Sequence, residues 1–114
     1  MSPRHDWKRL NDIRRRCDSA AELVARGRES VEEDELLVFA LERIIEVAGE
    51  AATRLDEATR ARFPTVDWQG LMGARVLLAH AYHRVLFDRL WQIAVEEMPK
   101  LAEALGPLSE GETD

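Results

Sequence analysis

Apolar side chains recur at three-to-four spacing along most of this 114-residue chain, and that period predicts helices. Trp7, Leu10, Ile13, Cys17, Ala20 or Ala21, and Val24 form one stripe, so a first amphipathic helix is expected from about Asp6 to Arg26, stopped by Gly27. Arg14, Arg15 and Arg16 take its remaining surface. Ser30 followed by Glu33 has the spacing of a capping box. A second stripe follows it: Leu37, Leu41, Ile44, Ile45, Ala48, Ala51, Ala52 and Leu55. Gly49 sits inside that helix at a cost of about 1 kcal/mol against alanine, a sign that a neighbouring helix must come close. Asp56 can restart a turn or two up to Phe63, and Pro64 ends it. "PTVDWQGLMG" at 64–73 reads as a long connection, with a short turn at 68–72 capped by Asp67. A third long helix is expected from Ala74 to about Met98, where Pro99 stops it or kinks it into a short last helix over 99–105. "GPLSEGETD" reads as a frayed acidic tail. The expected architecture is one all-α domain over 1–105, an up-down bundle of four to five helices, with the tail at 106–114.

The third long helix differs from the others. Val76, Leu77, Leu78, Ala79, Ala81, Val85, Leu86, Phe87, Leu90 and Trp91 leave it almost no polar face. Such a helix is covered on several sides. A chain this short has little material to cover it, so a second copy is the expected source, and a homodimer follows.

Composition adds limits. Leu, Ala, Glu and Arg dominate, with only six Gly and four Pro. Cys17 is the only cysteine, which excludes an intrachain disulfide and favours a reducing cytoplasm. The opening "MSPRHDWKRL" carries charge where the apolar part of a signal peptide would begin. The longest apolar run, "LLVFAL" at 36–41, is far below the ~18 residues of a membrane span. A soluble protein without membrane partners is expected.

Net charge is −6, which alone argues against nucleic acid. Its distribution points the other way. Residues 1–30 carry eight basic and five acidic side chains, 31–60 three and nine, 61–92 four and two, and 93–114 one and six. The segment around the third long helix is therefore locally positive in an acidic chain, and local potential is what a phosphate meets. The acidic helices beside it suit a basic protein partner.

That helix also holds the candidate chemistry: Arg75, His80 and Tyr82, followed by His83 and Arg84. Arginine with histidine suits RNA cleavage without a metal. A guanidinium fixes a phosphate and stabilises the extra charge of the transition state, and an imidazole moves the proton of the attacking 2′-hydroxyl. Tyr82 can bond the phosphate or stack on a base. Geometry makes a single-helix site awkward. Five residues turn through roughly 500°, leaving positions 75 and 80 about 140° apart, whereas 75 and 82 nearly share a line. Either the helix begins or kinks near Arg75, or two copies meet so that both sets line one cleft. His83 and Arg84 are possible auxiliaries, at i+3 and i+4 from His80. No metal spacing, cofactor motif or glycine-rich phosphate loop is present in the sequence.

"ARVLLAHAYHRVLFDRLW" at 74–91 resembles the R-x-x-x-x-H-x-Y pattern of the HepT-like branch of the HEPN superfamily, with its later Leu-Trp pair at Leu90 and Trp91. "ALERIIEVAGEAATRL" at 40–55 is similar to that family's Gly-Glu-Ala-Ala helix. "FPTVDWQGLMGAR" resembles its Pro-x-x-x-Trp-x-x-x-x-Gly-x-Arg approach. The match runs from about residue 35 to 102. It implies a HEPN-type bundle, a homodimer with the cleft at the interface, and a metal-independent endoribonuclease needing no cofactor. It further implies the toxin of a toxin–antitoxin pair, neutralised by a nucleotidyltransferase that adenylylates the motif tyrosine. Carried over by position, Arg75 and His80 are catalytic and Tyr82 is the modification site. One position departs: the family usually has a polar residue after the motif arginine, and this chain has Val76. The alternative expectation is a non-catalytic helical dimer that binds a partner protein or nucleotide, its motif degenerate at Val76.

Overall fold

The structure is a computed structural model that describes residues 3–80 and 83–107, except the side chains of 3–5, 75, 76, 79, 80 and 83–85. The described chain is all-α. Its helices are α1 (Pro3–Ala25), α2 (Arg28–Glu32), α3 (Glu35–Thr53), α4 (Glu57–Ala61), α5 (Trp68–His80), α6 (His83–Gln92) and α7 (Met98–Leu105), with a π-helical turn at Ile93–Glu97 between the last two. The molecule measures 41 × 26 × 22 Å. At ~1.5 Å per residue, α1 alone spans most of the long axis.

Helices α1 and α3 pack together at the centre, α5 lies against α3, and the π turn and α7 lie against α1. The stripes read from the sequence face this seam. Leu10, Ile13, Cys17 and Ala20 are buried from α1, and Leu41, Ile44, Ile45, Ala48 and Ala52 from α3. Leu23 and Val38 join them although neither was on the expected stripes. Gly27 ends α1 as expected, with φ at 88°, in the left-handed region that favours glycine.

Two local expectations are corrected. Ser30 does not cap the second long helix; it lies inside the short α2. The cap is Asp34, whose carboxylate accepts from the N–H of Leu36 at 3.0 Å and of Leu37 at 3.4 Å. Its negative charge suits the positive end of α3. The chain at 68–72 is no separate turn, because α5 starts at Trp68 and continues through Gly73 to His80. Asp67 does cap it, accepting from the Gly70 N–H at 3.0 Å. At Pro99 the second of the two expectations holds, a restart into a short last helix. The proline sits in the first turn of α7, just after the π turn. Proline has no N–H and its ring crowds the carbonyl four residues back, so a widened turn lets the helical path continue. The tail beyond residue 107 lies outside the described residues.

The far end of α3 is held by other elements. Arg60 donates to the carbonyls of Ala52 at 3.2 Å and Leu55 at 2.7 Å, and Arg9 donates to that of Arg54 at 3.2 Å. These guanidinium groups satisfy carbonyls that a helix end leaves open. Asp6, buried at 2% exposure, ties α1 to the same corner. Its carboxylate accepts from the Asp56 N–H and the Thr59 hydroxyl of α4's first turn, and from Arg9.

Gly49 has the role its position suggested. A Cβ built there stands 2.8 Å from the Leu71 carbonyl oxygen, a backbone atom of α5. Gly49→Ala should therefore lose stability, by up to about 2 kcal/mol net, because an overpacking cost of ~1–3 kcal/mol against a fixed backbone exceeds the ~1 kcal/mol gain in helix propensity. Urea denaturation measures this. An alanine variant as stable as the wild type would show that the two helices can separate freely.

Candidate active site

Helix α5 carries the positions singled out by chemistry, and its first half is firmly placed. Trp68 is buried, its indole N–H donates to the carbonyls of Arg60 at 3.0 Å and Phe63 at 3.3 Å, and its ring meets Phe63 edge-on. Leu71 and Ala74 are buried against the core. With the Asp67 cap below and the Gly49 contact beside it, the helix is fixed in rotation and height by the time it reaches position 75.

Arg75 and His80 both lie within α5, whose helical run from Trp68 to His80 is unbroken. The helix does not begin near Arg75, and its helical run continues past that position without interruption. Positions 75 and 80 stand about 140° apart around one axis. The two residues belong to one rigid element but to different sides of it. The side chains of Arg75 and His80 lie outside the described residues, as does the whole of Tyr82. His83 and Arg84 lie in α6, and their side chains also lie outside the described residues.

Helix α6 is well anchored on the other side. Leu86, Phe87 and Leu90 are buried, and Trp91 stacks on Phe87 with ring centres 6.0 Å apart. Arg28 of α2 lies over the Phe87 ring at 5.4 Å and pairs with Asp88. Leu90 and Trp91 thus hold the end of α6 rather than supply chemistry.

Other chemistry is weaker. Burial pushes the Cys17 thiol up to about 11, against the lowering effect of Arg14 and with a smaller rise from Asp18. At neutral pH it stays protonated, so it is no nucleophile. Among the described residues, no three His, Cys, Asp or Glu side chains gather as a metal site, and no helix is long and apolar enough to cross a membrane. An open cavity of about 320 Å³ lies between the 65–67 loop and the π turn, but Arg89 there is already paired with Glu97 at 2.6 Å. Sequence reasoning missed one feature beside α5. Leu36 and Phe39 of α3 are exposed, and Phe39 shares a groove with Leu78 of α5. Their signal was present in the apolar run at 36–41, where two side chains fall on the face opposite the core stripe.

Comparison with known proteins follows the same outline. A family model described as "Ribonuclease HepT-like" matches residues 10–108. The chain is 32% identical over 68 residues to "Putative RNase MJ1380" of Methanocaldococcus jannaschii, covering 60% of this chain and 62% of that one. It is 32% identical over 68 residues to "Putative RNase TTE0752" of Caldanaerobacter subterraneus subsp. tengcongensis, covering 60% and 61%. Over 68 residues it is 31% identical to "Probable ribonuclease HepT" of Thermococcus cleftensis, covering 60% and 62%. The chain spans about three fifths of the length of these curated relatives. No solved structure matches it.

Proposed function

This chain belongs to the HepT-like ribonuclease family, and from that premise we propose that it is a metal-independent endoribonuclease whose site is completed by a second copy. In this reading a ribose 2′-oxygen attacks the adjacent phosphorus and the bond to the 5′-oxygen of the next nucleotide breaks. His80 takes the 2′-hydroxyl proton, and the leaving oxygen gains one. The products are a 2′,3′-cyclic phosphate and a 5′-hydroxyl. Arg75 holds the phosphate and stabilises its added charge. His83 and Arg84 stand close enough in sequence to assist with proton or phosphate handling.

The observation that carries the reading is the unbroken run of α5 through both Arg75 and His80. A single helix cannot aim both at one phosphate, whereas two copies related by a two-fold axis can each supply one of them. The relatives' printed names, which are ribonucleases, support the reaction class. On this reading the protein is the toxin of a toxin–antitoxin pair, acts on cellular RNA in the cytoplasm, and is neutralised by a nucleotidyltransferase that adenylylates Tyr82.

Val76 favours a second reading, in which the same helical dimer binds a partner protein or nucleotide without cleaving RNA. Purified protein incubated with total RNA, with and without excess chelator, separates the two. The expected result is cleavage unaffected by chelator, leaving cyclic phosphate ends. Cleavage abolished by chelator would overturn the mechanism, and intact RNA throughout would favour the binding reading.

A further inference from the structure

Among the described residues, the outward face of α3 is the place beside the motif helix where large apolar side chains stand in solvent. Leu36 is 75% exposed and Phe39 53%. Adjacent exposed apolar side chains with a polar border mark a surface that something covers. Glu35, Phe39 and Arg43 follow at four-residue steps on the same face, so an acidic end and a basic end flank the aromatic.

We propose that this face, centred on Phe39, seats the same face of a second copy in an antiparallel crossing that pairs Glu35 of each copy with Arg43 of the other. The proposal rests on the shared-site reading above and names the surface that makes sharing possible. Charge selects the arrangement. A two-fold axis at Phe39 sets each residue four before it against the residue four after it, so opposite charges meet twice. A parallel crossing would set Glu35 on Glu35 and Arg43 on Arg43. Arg43 is free to change partners at small cost, because its present pair with Glu46 at 2.7 Å is a surface pair between exposed side chains.

Position supports the same occupant. Phe39, Glu42, Arg43 and Glu46 line an open groove with Leu78, and Leu78 lies on α5 between Arg75 and His80. A copy seated on Phe39 therefore stands beside the helix that carries both motif positions. RNA is the poorer occupant here. Glu42 and Glu46 line the groove with Phe39 and Glu35 lies one turn before it, so a phosphate backbone would be repelled before a base could stack.

The test is sedimentation of the full chain across the micromolar range, with circular dichroism to verify folding. Phe39→Glu should weaken dimerisation at least about 30-fold, the effect of losing a central anchor. Glu35→Arg and Arg43→Glu should each weaken it by less, and the double exchange should recover it to within about threefold of wild type. Because the exchanges alter only exposed side chains, they decide the matter even if Phe39→Glu misfolds. A folded Phe39→Glu that dimerises like wild type, or a double exchange no tighter than the singles, overturns the proposal. A wild type that dimerises regardless of every variant overturns this face alone. A wild type that stays monomeric overturns the shared site with it.

Discussion

Arg75→Ala and His80→Ala should each lower RNA cleavage by at least about 10²-fold while leaving the fold intact, because one removes charge stabilisation and the other proton transfer. The decisive measurement mixes the two inactive variants. In a symmetric dimer with Arg75 from one copy and His80 from the other, the mixed dimer keeps one intact site and loses the second. Random exchange makes half the dimers mixed, so activity should return to roughly a quarter of wild type. A site contained within one copy would stay dead on mixing, because neither variant holds both residues. Recovery would thus tie the catalytic assignment to the geometry of α5, and its absence in folded, freely exchanging variants would break that tie.

Tyr82→Phe should keep most of the ribonuclease activity and escape neutralisation by the proposed nucleotidyltransferase partner. Proton transfer in the proposed mechanism belongs to His80, so loss of the phenol oxygen removes no step. That oxygen is instead the proposed nucleophile toward ATP: it bonds the α-phosphorus, and pyrophosphate leaves. On a regular helix positions 75 and 82 stand nearly in line, two turns or roughly 10 Å apart along the axis. An adenylyl group there brings a negative phosphate that Arg75 can pair with as it would with RNA. The adduct should inhibit by occupying the substrate's place and repelling its backbone. Intact mass measured after incubation with partner and ATP should rise by one adenylyl group in wild type and not in Tyr82→Phe. An adduct elsewhere, or equal neutralisation of both forms, would remove Tyr82 from this role.

The all-α class, the core stripes of α1 and α3, the stop at Gly27 and the close approach at Gly49 could all be read from the chain alone. Each depends on local physics: a 3.6-residue period of burial, a backbone angle that glycine adopts readily, and the cost of an interior glycine that only a neighbour can justify. The family was readable for a different reason, since three motifs in order specify more than any one residue does. Tertiary structure decided the rest. Whether Ser30 or Asp34 caps α3 depended on the short α2 taking up Ser30. Whether α5 begins at Trp68 or Ala74 depended on Trp68 finding the carbonyls of Arg60 and Phe63 across a loop. Continuity past Pro99 depended on the π turn, which packs beside α1. Spacing left open whether Arg75 and His80 could meet within one chain, because a kink would have brought them together. The contacts that seat α5 come from α3, distant in sequence, and from the 60–67 segment just before it, and the helical run passes through positions 75 and 80 without interruption.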